Sequence, residues 1–341
     1  MILPPAHIDD ATGAWTVRRA WPSSTGCDLE VVSRRDGRIR AGRWRDGHAE
    51  IAPADHDRHL PGLAPAVSEG TIVSWRRGRR VVVHAHDGSG YLKVVRGDTV
   101  ASVVDSHARA EVFRAAFRTP DVTVRDPEGC VHLSRVPGRT LHDLGADAAV
   151  GDATVARAWS AWARGWTEVL AAAPAADAAR HTHAEEIAVL VRWRDLALRA
   201  GVDARIATAF DHAATRLDHA PGQASVTAHR DLHDKQVLWD GREGGLIDLD
   251  TASRAEPALD LANLRAHVSW RHAQGRLSTP RASQARHTVD EVAARAGVDP
   301  ARMAAYEAST RLRLGALYLF RPAWRSLATR WLAREAAQTS R

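Results

Sequence analysis

Lysine is almost missing from this chain. Of its 47 lysines and arginines only two are lysine, Lys93 and Lys235, and arginine supplies the rest. Where arginine serves for ordinary positive charge, a retained lysine marks a place that needs a compact ammonium rather than a planar guanidinium. Cysteine is equally scarce. Cys27 and Cys130 are too few and too far apart for a disulfide framework or a cysteine-based metal knot. No stretch approaches the roughly 18 apolar residues of a membrane-spanning helix, so no membrane partner is expected. The opening residues, MILPPAHIDDATGAW, lack the basic start and apolar run of a secretory signal. The expected location is the cytoplasm. Asparagine occurs once, at Asn263.

What is present describes a soluble globular protein. A length of 341 residues suits one large domain or two lobes, each burying a core. The net charge of +6 and a pI near 10.1 invite a nucleic-acid reading. Against it, the arginines are spread along the chain among 41 acids. The densest basic run, Arg76-Arg77-Gly78-Arg79-Arg80, has the central glycine of a hairpin tip. Nucleic acid is not expected as a partner.

Residues 1–70 are polar, with scattered glycine and proline. Residues 29–33 and 39–44, joined around Asp36-Gly37, predict a β-hairpin, and 55–70 predicts a connector. Three strands follow at 71–75, 80–86 and 91–95. Residues 99–117 have helical periodicity, with Val104, Ala108, Val112 and Ala115 on one face. Another pair of strands is expected at 122–125 and 130–135. Val136-Pro137-Gly138 then breaks the pattern, and the remainder is helical apart from strand-like residues 226–250. Trp159, Trp162 and Trp166 form a core-facing stripe on one of these helices. The expected organisation is an extension packed on the N-lobe (1–70), a β-rich N-lobe (71–136) and a helical C-lobe (137–341).

The chemistry gathers at residues 227–250. A short apolar strand leads into the charged loop His229-Arg230-Asp231-Leu232-His233-Asp234-Lys235-Gln236, and a hairpin brings Asp248 back toward Asp231. Phosphoryl transfer needs a carboxylate to accept the proton of the attacking hydroxyl. It needs oxygen ligands for Mg²⁺ and a lysine to grip the phosphates. Asp231 fits the base, Gln236 and Asp248 fit the metal ligands, and Lys93 on its strand fits the phosphate grip. Asp250 is a rival ligand to Asp248. His229 and Asp260 read as structural supports of the loop. Lys235 and His233 could face a γ-phosphate, an anionic substrate group or solvent.

His229-Arg230-Asp231 has an amide five residues after its Asp and Ile247-Asp248 seventeen after it. With Pro257-Ala258-Leu259-Asp260-Leu261-Ala262 this resembles the aminoglycoside phosphotransferase and choline kinase family. The resemblance spans residues 70–335 and implies an α+β, protein-kinase-like two-lobed fold. It implies ATP and Mg²⁺ as cofactors and a small hydroxylated molecule as acceptor. It also implies that Lys93 is the N-lobe strand lysine, and that Glu111, on the following helix, is its pairing acid. Val136 to Leu141 resembles the segment after the interlobe linker. One position departs: Gln236 stands where the family has asparagine, offering the same amide oxygen on a longer arm. That departure raises a second reading, a nucleotide-binding protein without catalysis. The oligomeric state is left open.

Overall fold

A computed structural model describes residues 1–339. Two five-stranded antiparallel sheets occupy the first 134 residues. The first is a meander of β1 (His7–Asp10), β2 (Gly13–Pro22), β3 (Cys27–Ser33), β4 (Ile39–Arg45) and β5 (His48–Ile51). The expected hairpin is β3–β4, with Val32 opposite Ile39 and Gly37 at φ 71° in the turn. The strand β2 escapes the sequence reading because a register shift between Val17 and Arg19 interrupts its alternation. Trp15 and Val17 are buried ahead of the bulge, and after it Ala20 is.

This sheet buries both faces. Successive residues of a strand point to opposite sides. Leu29 and Val31 enter a core with Leu312, Phe320 and Trp331 from the C-lobe. Val32, Ile39 and Ala41 enter another with Leu60, Trp75 and Val81. The sequence reading packs residues 1–70 on the N-lobe alone; the sheet packs there and on the helical lobe as well. Apolar residues on both of its faces are the physical cause. Hydrogen bonds tie it on each side, from the Ala20 N–H to the Phe320 carbonyl at 2.9 Å and from the Trp75 N–H to the buried Glu30 carboxylate at 2.8 Å.

The N-lobe follows. A short helix, α1 (Leu63–Glu69), lies within the segment read as a connector. Strands β6 (Gly70–Arg76), β7 (Arg80–Ala85) and β8 (Gly90–Val95) are joined by tight turns. The basic run turns between β6 and β7, with Arg76 paired to Arg80 across Gly78 at φ 60°. The helical stretch divides at Ala110 into α2 (Gly97–Arg109) and α3 (Glu111–Ala116). Its buried face carries Val100, Val103 and His107, with Val104 half-buried against that cluster and Ala108 exposed. Strands β9 (Val122–Asp126) and β10 (Cys130–Ser134) complete a sheet of order β6-β7-β8-β10-β9.

Beyond the linker, β11 (Arg139–Thr140) pairs with β13 (Val237–Trp239), which pairs with β14 (Gly244–Leu246). A second ribbon joins β12 (Val226–Ala228) to β15 (Ser253–Ala255). Around them stand α4 (Leu141–Ala146), α5 (Asp152–Ala171), α6 (His183–Arg199) and α7 (Arg205–His219). The chain continues in α8 (Pro257–Ala273), α9 (Thr279–Arg295), α10 (Pro300–Leu319) and α11 (Arg325–Thr339). The tryptophan stripe of α5 is fully buried, with Trp162 and Trp166 stacked at 6.2 Å. Among the described residues, no helix is long and apolar enough to cross a membrane.

Candidate active site

The loop between β12 and β13 is stitched to the C-lobe from below. The His229 N–H donates to the Asp260 carboxylate of α8 at 2.6 Å. A carbonyl can only accept, so the His229 ring donates from Nε2 to Ile247 O at 2.9 Å and accepts the Asp231 N–H at Nδ1. Burial pushes the Asp260 carboxyl up, against the pull of His229. Asn263, the single asparagine, donates to Leu232 O at 2.7 Å and accepts from Arg313. Asp234 is fully buried between Arg271 Nε at 3.0 Å and His142 Nδ1 at 2.9 Å. Burial alone would raise the Asp234 carboxyl, but Arg271 and His142 overcome it and hold it far below the usual range.

These anchors fix a strained backbone. Among the described residues, three non-glycine residues have positive φ, and two of them are Arg230 at 68° and Asp248 at 61°. Each costs about 1–3 kcal/mol and persists only where surrounding contacts enforce it. The result aims Asp231 outward, with its side chain 49% exposed and Oδ2 at 4.0 Å from His233 Nε2. Gln236 is buried and its amide donates to Asp248 Oδ2 at 3.2 Å. Lys93, in the middle of β8 and 4% exposed, reaches across the cleft. Its ammonium ion-pairs with Asp250 and stands 4.0 Å from Asp248 Oδ1. Lys93, Gln236 and Asp248 thus meet, and Asp231 lies on the same loop as Gln236.

Glu111 does not join them. Its side chain is 71% exposed and pairs with Arg114 at 3.2 Å. The break at Ala110 carries Glu111 off the face of α2 that looks into the site, and Asp105 on α2 is exposed as well. The inward position belongs to His107, whose Nε2 lies 3.6 Å from Asp250 Oδ1. Lys93 therefore takes its carboxylate from Asp250. Burial would raise the Asp250 carboxyl; His107 and Lys93 together hold it well below the usual range. The sequence carried a signal for His107 in the spacing Val100, Val103, His107. It carried none for Arg271 or His142, whose roles depend on long-range packing.

The donor set suits a hard divalent cation. Asp248 is partly solvent-facing, and Asp250 Oδ1 is buried without a hydrogen-bond partner among the described residues. Gln236 now turns its amide N–H to Asp248, and with that amide turned over its oxygen would join the two carboxylates in a set that suits a cation such as Mg²⁺. His233, Asp234 and His267 also converge, but the two rings stack at 4.7 Å and Asp234 is committed to Arg271, so they do not form a second cation site.

A sequence model described as the phosphotransferase enzyme family (APH) matches residues 71–329. The β1–β5 sheet lies outside that match. No curated protein matches the chain. Among solved structures, aminoglycoside phosphotransferase APH(3'')-Id from Streptomyces rimosus shares the fold with a TM-score of 0.52 at 23% identity, over 74% of this chain and 96% of that one. The GDP and kanamycin complex of APH(2'')-IIia gives 0.53 at 16% identity, over 80% and 96%. Choline kinase LicA from Streptococcus pneumoniae gives 0.50 at 10%, over 78% and 92%. The resemblance read from the loop motif is thereby borne out. The chain belongs to the phosphotransferase enzyme family.

Proposed function

We infer that the protein is an ATP- and Mg²⁺-dependent small-molecule kinase. It transfers the γ-phosphoryl group to a hydroxyl of a sugar, amino sugar, aminoglycoside or related metabolite in the cytoplasm. Residues 71–136 form the nucleotide lobe, and the helical lobe from residue 137 on carries the acceptor site. The observation that supports this most directly is the meeting of Lys93 from β8 with Asp248 from the C-lobe at 4.0 Å, beside Gln236.

In this reading Asp231 accepts the proton of the acceptor hydroxyl. The hydroxyl oxygen bonds to the γ-phosphorus, the bond to the β-γ bridging oxygen breaks, and ADP leaves with that electron pair. Lys93 binds the phosphates, so the Lys93–Asp250 pair loosens or is shared when nucleotide enters. Asp248 and Gln236 hold Mg²⁺, which neutralises charge on the phosphate oxygens when bound. The exposed, outward position of Asp231 suits a base that must meet a diffusing acceptor.

The test is Asp231→Asn, assayed for ADP release over a panel of hydroxylated acceptors, with Mg-ATP binding measured in parallel. Turnover is expected to vanish while binding stays within about twofold. Full activity in the variant refutes the mechanism. Nucleotide binding without transfer in the unaltered protein favours the second reading, which Gln236 raises.

A further inference from the structure

A cavity of about 570 Å³ opens beside the interlobe linker, and none of Lys93, Asp231, Gln236 and Asp248 lines it. Its walls are the end of α3 with the residues that follow, the linker from Ser134 to Pro137, one face of α5, and the turn between β13 and β14. The base is closely packed. The Arg118 N–H donates to Gly244 O at 2.9 Å, and the Leu246 N–H donates to Arg118 O at 2.8 Å. A Cβ at Gly165 would stand 2.7 Å from the Phe117 ring, and one at Gly245 would stand 2.5 Å from Val136. Glycine at both positions lets α5 and β14 close up on Phe117 and Val136.

Five arginines line this cavity: Arg114, Arg118, Arg135, Arg164 and Arg242. Three acids line it as well, and two of them are already engaged. Asp121 accepts from Arg114 at 2.7 Å, and Glu243 accepts from Arg118 at 2.6 Å. Arg114 also meets Glu111 at 3.2 Å, and Arg118 meets Asp240 at 3.5 Å, so both of these arginines are neutralised. Arg242 reaches only Glu243, at 3.9 Å, which Arg118 holds more closely. Arg135 and Arg164 are exposed, and their guanidinium groups make no hydrogen bond or ion pair among the described residues. Glu168, the third acid, is likewise exposed and without a side-chain partner among the described residues. Three guanidinium groups thus compete for one free carboxylate.

That excess of positive charge matches a phosphate dianion. The planar guanidinium fork fits phosphate oxygens in pairs. A bare phosphate leaves most of the volume unfilled, since cavities of this size take small organic molecules. Ala115, Pro137 and Ala161 offer apolar contact to the rest of such a molecule. We propose that the cavity binds a small phosphorylated metabolite, its phosphate held by Arg135 and Arg164 and its organic body laid against the linker. The site stands apart from the transfer centre, and the proposal does not depend on the kinase reading.

The test is calorimetric titration of the full chain with glucose 6-phosphate, with glucose and glucuronate as controls. A saturating non-transferable Mg-ATP analogue keeps the nucleotide site occupied, and ionic strength is held fixed. Glucose 6-phosphate is expected to bind more tightly than glucuronate, and glucose not at all. Arg135→Gln and Arg164→Gln are each expected to weaken binding by about tenfold, as loss of a charge-assisted hydrogen bond does. Glu168→Gln is expected to tighten it severalfold by removing a like charge, a sign that general damage to the fold does not produce. All three side chains are exposed, so an unchanged thermal midpoint shows that the variants keep the fold. No binding of glucose 6-phosphate at millimolar concentration overturns the proposal, as does equal binding of glucose or glucuronate. Binding that all three variants leave untouched also overturns it, because the sugar phosphate then occupies another site.

Discussion

Asp250 holds Lys93 from across the cleft, so the lysine's carboxylate partner belongs to the C-lobe and not to the helix that follows its strand. The pair joins the two lobes through one buried contact. Removing the carboxylate leaves a buried ammonium uncompensated, which costs about 3 kcal/mol. Asp250→Ala is therefore expected to lower the thermal midpoint and weaken Mg-ATP binding by about tenfold or more. Glu111→Gln is expected to change stability by less than about 0.5 kcal/mol, as an exposed substitution does. Equal effects of the two variants in thermal denaturation and nucleotide titration would contradict this assignment.

Gln236 reaches Asp248 at 3.2 Å, and that contact sets the expected response to a shorter amide. Gln236→Asn keeps the amide oxygen but withdraws it by one methylene. Activity within about tenfold of the parent is expected, with a higher Mg²⁺ requirement. Gln236→Ala should raise the Mg²⁺ concentration for half-maximal turnover by about 10–100-fold. A Mg²⁺ titration that is identical in all three proteins removes Gln236 from the metal site.

Asp234 makes an acid-side prediction. Its folded-state pKa is lowered, so its stabilisation is complete above the unfolded carboxylate value of about 3.9 and is lost as pH falls toward the folded value. Below about pH 4 the unfolded chain binds the proton that the folded chain refuses. The parent should therefore lose stability more steeply on acidification than Asp234→Asn, although the variant starts lower at neutral pH. Denaturant melts from about pH 3 to 7 would read the two slopes, and parallel curves would refute the role of Asp234.

Much of this was legible beforehand. The β3–β4 hairpin, the strands β6 to β8 and the tryptophan stripe all follow from local pattern, which needs no knowledge of partners. The loop around Asp231 was legible because its residue types are chemically unusual together. Three things were hidden. The bulge in β2 broke a two-residue period. The kink at Ala110 rotated Glu111 out of a helix that the sequence presented as continuous. The Asp250–Lys93 pair joins residues 157 apart, a distance that no local pattern spans.

Glu30 concentrates the attachment of the extension to the N-lobe. It accepts from Arg18 at 2.6 Å, from the Ser74 hydroxyl at 3.0 Å and from the Trp75 N–H at 2.8 Å. Glu30→Ala strips these donors of their acceptor and is expected to cost about 2–3 kcal/mol. Hydrogen exchange should speed up at β3 and β6 together. Exchange altered only at β3 would mean that the two sheets are not coupled through this carboxylate.

The two-faced burial of the β1–β5 sheet changes what the cleft can do. Lobes joined by a single linker swing about it as about a hinge. Here a second seam runs between them, and a wide swing would shear one of its apolar faces. Such a seam opposes a wide opening of the cleft and leaves smaller movements of side chains and loops at its rim as those that disturb the least packing.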